Sequence, residues 1–289
     1  MSLFKILKKG VKASASSYKL MLVIWIITLV LVFAVGYPLK SFLNTIFGDS
    51  MAVERLMDGF DLGLIGDISR PFGGLMAGVA AGTLFISLAG FVLMTFFAGG
   101  LFRRFTISWG GLSVSEFFRA SANNFIPFLK IALLMMLIVG AYTFIIIGIP
   151  GIIIMMISDK QMPGGGAIYP FYAIWALGMP VWIFIADASR RWVAATGSPR
   201  VFRAIGTALR ALRERFWLSY GTVFAIVMIN AAFVLVALLF TMIATPQKGI
   251  MIFLFFILTQ LLVIFRIFMK AWRYAAVCEA VTLPGGKSK

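Results

Sequence analysis

Residues 218–243 have the sequence LSYGTVFAIVMINAAFVLVALLFTMI, with no charged side chain, and residues 250–265, IMIFLFFILTQLLVIF, form a second uncharged stretch after a short connection. A helix that crosses about 30 Å of hydrocarbon needs about 20 apolar residues. Two stretches of this kind, joined by the polar residues Thr245 to Lys248, predict a helical hairpin within a lipid bilayer.

The composition of the whole chain agrees with this hairpin. The chain has 289 residues, of which 62% are hydrophobic and 12% are charged, whereas a soluble domain has roughly 45–50% apolar and about 25% charged residues. The same length criterion predicts an all-α integral membrane protein with six transmembrane helices. The predicted spans are 20–39, 76–101, 131–157, 168–186, 218–243 and 250–266.

The basic residues predict the orientation of the spans. The chain has 26 Lys and Arg against ten Asp and Glu, and cytoplasmic connections carry an excess of Lys and Arg. Twenty-one of these 26 residues lie in segments 1–19, 102–130, 187–217 and 266–289, on one side of the six spans. Both termini are therefore predicted to be cytoplasmic, on the inner side of a cell membrane, with 1–19 as a basic amphipathic segment. A charge so close to the span ends favours anionic lipid headgroups as its partner and argues against nucleic acid.

Two cytoplasmic connections are predicted to form amphipathic interfacial helices, at about 199–217 and about 113–127. In the first, apolar residues recur at helical spacing, and four arginines on the opposite arc are candidate residues for binding lipid or a protein partner. These are Arg200, Arg203, Arg210 and Arg213. In the second, Ser113 and Glu116 have the spacing of a capping box, and Pro127 is expected to bend the chain into the next span. Both helices are also explained as positively charged connections that membrane insertion requires.

The predicted outer side has one substantial segment, the loop 41–70, with five acidic residues against two arginines. Carboxylates are ligands for divalent cations, but no compact ligand spacing is present. A solvated acidic loop is favoured over a cation site, and no metal site is predicted.

Within the spans, proline and amide residues are the candidates for a binding cavity. Pro150 and Pro180 interrupt two consecutive spans, and broken helices line the binding sites of some transporters. Asn230 and Gln260 lie in the middle of the last two spans. Kinks and helix-to-helix hydrogen bonds explain the same four residues without a ligand. Asp187 is expected to pair with Arg190 or Arg191 at the end of the fourth span.

Enzyme signatures are absent from the sequence. The chain has no His and a single cysteine, Cys278, which is predicted to lie in the cytoplasmic tail. No phosphate-binding loop, nucleophile elbow or metal-spaced Cys set occurs. The sequence therefore predicts a non-enzymatic protein without a cofactor.

Several short strings distributed along the chain resemble an uncharacterised group of bacterial six-span membrane proteins. This group is loosely similar to the membrane domain attached to some glycerophosphodiester phosphodiesterases. The strings are AVERL at 52–56, GFD at 59–61, EFFRA at 116–120, DASR at 187–190, and the segment from Gln260 through Arg266 to Arg273-Tyr274-Ala275. The resemblance implies a fold in which basic segments alternate with membrane hairpins. It transfers no catalytic residue, because the phosphodiesterase domain has no counterpart in this chain.

Two functions follow as hypotheses. The first is a non-enzymatic scaffold or accessory subunit that binds anionic lipid or a membrane-protein partner through its cytoplasmic helices. The alternative is a small transporter or lipid-translocating protein with a cavity near Pro150, Pro180, Asn230 and Gln260. The absence of an ionisable residue near the middle of any span disfavours coupling to protons or ions.

Overall fold

The structure is a computed structural model that describes residues 2–47, 62–107, 113–157, 167–243 and 249–281. These ranges are helical almost throughout and contain no strand, which confirms the all-α class. The helices are α1 (Leu3–Ala15), α2 (Tyr18–Phe47), α3 (Leu62–Ile107), α4 (Val114–Thr143), α5 (Ile149–Ile157), α6 (Tyr169–Thr196), α7 (Val201–Glu214), α8 (Phe216–Ile243) and α9 (Gly249–Ala280). A π-helical turn, Phe144–Gly148, joins α4 to α5.

Within the described residues, five stretches of helix are long and apolar enough to cross a membrane. They are Ala80–Thr106, Val114–Met156, Tyr169–Thr196, Phe216–Phe240 and Phe253–Ala280. A sixth is obtained if the bent pair Leu3–Ala15 and Tyr18–Ala34 is counted as one span. Helices of this number, length and composition are those of a membrane-embedded, multi-pass protein.

The connection predicted as a separate helix at 113–127 is instead the first part of α4. The Ser113–Glu116 capping box is confirmed: the Glu116 backbone N–H donates to Ser113 Oγ, and the Ser113 backbone N–H donates to the Glu116 carboxylate. The helix then continues through Pro127. The reason is packing, because one buried face runs at helical spacing across the proline. Its residues are Phe117, Ser121, Asn124, Phe128, Ile131 and Met135.

The segment after span six is helical rather than a tail. The span was predicted to end at Arg266, whereas α9 continues to Ala280 and buries Cys278, which was placed in a cytoplasmic tail. A hydropathy criterion detects the apolar part of a helix that suits hydrocarbon, and it does not detect a more polar continuation of the same helix. The extension from 267 to 280 is one of the most buried parts of the chain.

The predicted outer loop 41–70 is shorter than expected at both ends. The helix α2 continues to Phe47, and α3 begins at Leu62. The acidic residues Asp49, Glu54, Asp58 and Asp61 lie outside the described residues, as do the connections predicted at 163–166 and 245–248.

The chain divides into two compact units. One consists of residues 23–94, with parts of α2 and α3, and its apolar side chains include Val30 and Leu84, both well exposed. The other consists of residues 1–22 and 95–289. In this larger unit α1 lies on α8 and α9, where Ile6, Ile226 and Met269 form a buried cluster.

The packing of α1 on α9 depends on Gly10. A Cβ added at Gly10 would lie 3.0 Å from Trp272 Cδ1 and 3.2 Å from the backbone N of Ala276. The close approach lets Trp272 Nε1 donate to the Leu7 carbonyl at 3.1 Å, and Lys9 Nζ pair with Glu279 at 3.3 Å. The basic N-terminal segment is thereby fixed to the end of α9.

Candidate functional site

Charged side chains of the larger unit meet where α6 ends, α7 crosses and α9 ends. We call this region, formed by residues 187–196, 200–215 and 266–281, the basic end. The chain turns there at Gly197, whose φ of 66° is in the left-handed region that favours glycine. The Gly197 N–H donates to the Val193 carbonyl. Arg103 Nη1 donates to the Ala194 carbonyl at 3.1 Å. The C-terminal carbonyls of α6 are thus satisfied by a turn and by an arginine.

A buried ion-pair cluster holds α6 against α9. Asp187 is only 1% exposed, and its carboxylate accepts from Arg273 Nε at 2.7 Å and from Arg190 Nη1 at 3.4 Å. The pair with Arg190 was predicted and is confirmed. The shorter contact, from Arg273, was not predicted. The Arg273 guanidinium also lies 5.3 Å from the centre of the Tyr274 ring. These contacts give the cluster a structural role at the end of the bundle.

The amphipathic helix α7 packs on α6 through small residues. Ala204 and Ala208 are completely buried or nearly so, and Leu212 follows one turn later. The packed face therefore differs from the large apolar residues that recur at helical spacing in the sequence, because Leu209 remains exposed. The helix predicted at about 199–217 begins at Val201, with Arg200 at the N-cap position and no side-chain cap, and ends at Glu214.

The exposed apolar residues of α7 form a face of their own. Phe202 and Leu209 are seven residues apart, which places them on one side of the helix, and the exposed Phe216 follows as the first residue of α8. Phe202 is 82% exposed, and the neighbouring Trp217 is exposed to the same degree. On the arc beside this face lie Arg203, Arg210 and Arg213, all exposed. One side of α7 thus packs on protein while another presents aromatic and basic side chains outward.

A cavity of about 320 Å³ opens between α6, α7 and the end of α9. Five of the lining residues are alanines, whose small side chains leave the space open, and Trp192 forms part of the wall. Three arginines and one glutamate line it: Arg191 from α6, and Arg210, Glu214 and Arg215 from α7 and its end. The remaining lining residues are Ala188, Ala195, Thr207, Ala208, Ala211, Ala280 and Val281. The cavity thus combines an apolar wall with a net positive lining.

Arg191, which lines this cavity, was predicted only as a possible ion-pair partner of Asp187. Its Nε and Nη1 atoms are buried and have no hydrogen-bond partner within the part of the chain that the structure describes. The sequence shows two adjacent arginines, either of which could pair with Asp187. In the structure Arg190 pairs with Asp187, and Arg191 lines the cavity. Only the position of α7 distinguishes the two.

The four arginines predicted as a binding surface divide into two groups. Arg210 lines the cavity, whereas Arg200, Arg203 and Arg213 are exposed on the outer side of α7 or at its start. The structure does not bring the four together as one site. It joins Arg210 instead to Arg191 and Arg215, which were not among the candidate binding residues.

Of the two proline candidates, only Pro150 follows an interruption of the regular α-helix, because α6 continues without a break through Pro180. Before Pro150 the helix widens, and the Ile149 N–H donates to the Phe144 carbonyl five residues back. A proline removes a backbone donor, and π-helical turns often occur at such positions. Pro180 is buried in the middle of α6. Neither proline lines the cavity at the basic end.

Tyrosine hydroxyls from two neighbouring helices bind α6 just before Pro180. Tyr142 from α4 donates to the carbonyls of Ile174 and Trp175, at 3.1 and 3.2 Å, and Tyr220 from α8 donates to the Leu177 carbonyl at 2.9 Å. A Cβ added at Gly178 would overlap the Tyr142 hydroxyl. Direct side-chain contacts therefore join α4 and α6 beside the predicted break.

The two amide candidates, Asn230 on α8 and Gln260 on α9, are half-buried. These helices pack on each other, but neither amide lines the cavity described above. A binding cavity around Pro150, Pro180, Asn230 and Gln260 stays a prediction.

Among the described residues, no group of three or more His, Cys, Asp and Glu side chains could hold a metal ion. No family model, curated protein or solved structure matches this chain.

Proposed function

We propose that the chain is a non-enzymatic, six-span protein of the bacterial inner membrane, with both termini in the cytoplasm. Its basic end binds anionic phospholipid headgroups, and it acts as a scaffold or accessory subunit for a membrane-protein partner. The observation that carries the proposal is the construction of α7. Its inner face packs on α6, and its outer face combines the exposed Phe202 and Leu209 with arginines, while the exposed Phe216 and Trp217 begin the next helix, α8.

This outer face suits the boundary between headgroups and acyl chains. Aromatic and aliphatic side chains of an interfacial helix enter the acyl boundary, while Lys and Arg remain among the phosphates. The helix α1 has a similar composition, with Phe4 exposed by 76% and four lysines at 5, 8, 9 and 12. Because both helices pack on the ends of apolar helices, a headgroup layer at the basic end would meet both.

The resemblance to the membrane domain of glycerophosphodiester phosphodiesterases is consistent with this proposal only at the level of the fold. The transporter alternative gains no support from the site, since the described cavity lies at the basic end and not beside Asn230 or Gln260.

The topology is tested with reporters at the two chain ends. In cells, a tag before residue 1 and a tag after residue 289 are both expected to be accessible only from the cytoplasm, because the Lys and Arg of both terminal segments favour that side. Tags found on opposite sides of the membrane would overturn the six-span proposal.

Lipid recognition is tested with the purified full chain in mild detergent, titrated with palmitoyl-oleoyl phosphatidylglycerol or the matching phosphatidylcholine and followed by native mass spectrometry. The wild type is expected to bind the anionic lipid more tightly. The triple variant R200Q/R203Q/R213Q is expected to lose at least about fivefold of this preference, because each basic residue near anionic lipid contributes about 1 kcal/mol.

The matched control removes three charges from the opposite connections, in K40Q/K160Q/K248Q, and is expected to keep the wild-type preference. Equal binding of the two lipids by the wild-type protein contradicts the proposed function. Co-purification from native membranes then identifies the protein partner.

A further inference from the structure

The cavity at the basic end has the size and lining of a site for one small anionic group. Its volume of about 320 Å³ lies at the lower limit of ligand pockets, which span about 300–1,000 Å³. This volume accommodates a headgroup but not a whole two-chain lipid. The alanines on α6, α7 and α9 leave the space open, and Trp192 provides an apolar wall.

The lining carries more positive than negative charge. Arg191, Arg210 and Arg215 face the cavity together with one acid, Glu214. The other ionic groups nearby already have partners, since Asp187 is held by Arg190 and Arg273, and Glu279 pairs with Lys9. Glu279 also acts electrostatically on Arg191, but three arginines against one glutamate leave the lining with an excess of positive charge.

Arg191 indicates which part of the cavity an anion would occupy. Two of its guanidinium nitrogens are buried and lack a partner among the described residues. A buried guanidinium without an acceptor is costly, and arginine stays protonated in proteins. Arg210 and Arg215 are exposed and lie toward solvent. The cavity thus has one partly buried arginine in its wall and two exposed ones at its opening.

We propose that this cavity binds the phosphate group of a single phospholipid headgroup, which rests on the proposed function at the basic end. The phosphate accepts hydrogen bonds from Arg191 in the interior and from Arg210 and Arg215 at the opening. Guanidinium forks match the oxygens of a phosphate, and several forks can bind one tetrahedral group. The exposed apolar residues of α7 place the opening next to the layer from which a lipid would enter.

The proposal is tested with the full chain in detergent by counting lipids retained at a low ratio of phosphatidylglycerol to protein. The wild type is expected to retain one molecule. R191Q, which removes the interior fork, and A211L, which fills the cavity, are each expected to weaken this first binding event by about tenfold, the loss expected for one charge-assisted contact. R119Q removes the same charge from an exposed position on α4 that does not line the cavity, and it is the matched control, with binding within about twofold of the wild type.

A second variant protects the test against misfolding. R191K keeps the charge but loses the bidentate fork, and it is expected to weaken binding several-fold while keeping the melting temperature of the lipid-free protein. First-site binding that is unchanged in R191Q, R191K and A211L overturns the proposal while leaving a general preference for anionic lipid intact. If the wild type binds phosphatidylglycerol and phosphatidylcholine equally, the proposed function fails as well.

Inorganic phosphate separates the two sources of the ligand. It is expected to raise the melting temperature weakly and to compete poorly with the lipid. If millimolar phosphate alone stabilises the wild type but not R191Q, and phosphatidylglycerol does not compete with it, the cavity serves a soluble phosphate compound and the lipid assignment is overturned.

Discussion

The long helices of the larger unit are packed differently at their two ends. Toward the basic end, Phe102, Phe128, Phe184 and Tyr274 are buried, and charged residues lie among them. We call this the packed region. Toward the other end, residues 136–156, 228–240 and 253–261 are more apolar, yet many of their side chains are exposed, including Leu137 and Met156. We call this the open region.

The difference follows from the two solvents that a membrane protein meets. Lipid tails are as apolar as leucine, so the hydrophobic effect does not drive helices together within the bilayer. Where water and headgroups surround the chain, apolar side chains gain free energy by packing against each other. The packed region should therefore supply most of the free energy of unfolding, and the open region should tolerate substitution.

The largest expected effect tests this contrast directly. Phe102 is completely buried, and its ring lies 4.5 Å from that of Tyr274 and 5.8 Å from that of Phe128, centre to centre. Phe102→Ala is expected to lower the free energy of unfolding by about 3–5 kcal/mol, because it leaves a cavity in a packed core. The measurement is reversible unfolding of the full chain in mixed micelles of increasing dodecyl sulfate content.

The matched substitution in the open region is Leu137→Ala, at a side chain that is 72% exposed. Its expected cost is within about 0.5 kcal/mol, as for surface positions in general. Equal losses for the two variants would mean that the packed region is not the main source of stability.

The second prediction concerns the ion pair that joins α6 to α9. Asp187→Asn keeps the shape of the side chain but removes the charge that Arg273 and Arg190 contact. It is expected to cost about 3 kcal/mol, because two partly buried cations lose their counter-charge. Lys9→Gln, which breaks the more exposed pair with Glu279, is the control and should cost less than about 1 kcal/mol. A smaller loss for the Asp187 variant than for the Lys9 variant would contradict the buried role of the cluster.

Two glycines sharpen the comparison at the level of the backbone. A Cβ at Gly100 would overlap the Phe117 ring and approach Ser121 Oγ at 2.6 Å, whereas a Cβ at Gly140 would meet nothing within 4 Å. Gly100→Ala is expected to destabilise by about 1–3 kcal/mol through overpacking. Gly140→Ala should stabilise by up to about 1 kcal/mol, because alanine favours a helix more than glycine does. The same unfolding assay measures both, and a stabilising Gly100→Ala would show that α3 and α4 can move apart.

The sequence predicts the helices of this molecule better than it predicts their ends. The uncharged run at 218–243 corresponds closely to α8 (Phe216–Ile243), and the Ser113–Glu116 spacing identifies the start of α4 correctly. Apolar length and local capping act within one helix, so both are visible in a short stretch of chain. The extension of α9 past Arg266 was missed because its residues are packed by α1, which is distant in sequence.

The candidate site was less predictable because it depends on contacts between distant segments. Asp187 and Arg190 are three residues apart, and their pairing was predicted, but Arg273 is 86 residues away from Asp187. The cavity arises because alanines on three helices face each other. Alanine is a good helix former everywhere, so its presence in a sequence does not indicate a cavity. Arg191 acquires its role only when α7 packs beside it.

The smallest expected effect lies in the open region, at a contact between α4 and the part of α6 that precedes Pro180. Tyr142→Phe removes the hydroxyl that donates to the Ile174 and Trp175 carbonyls. Hydrogen bonds between membrane helices contribute about 0.6 kcal/mol on average, because the unfolded chain in the membrane also finds partners. A loss of about this size is expected in the unfolding assay, and Tyr172→Phe, at an exposed position of α6, should cost less. A loss of several kcal/mol for Tyr142→Phe would instead extend the packed region beyond the basic end, since one hydroxyl would then hold α4 and α6 together where lipid alone should surround them.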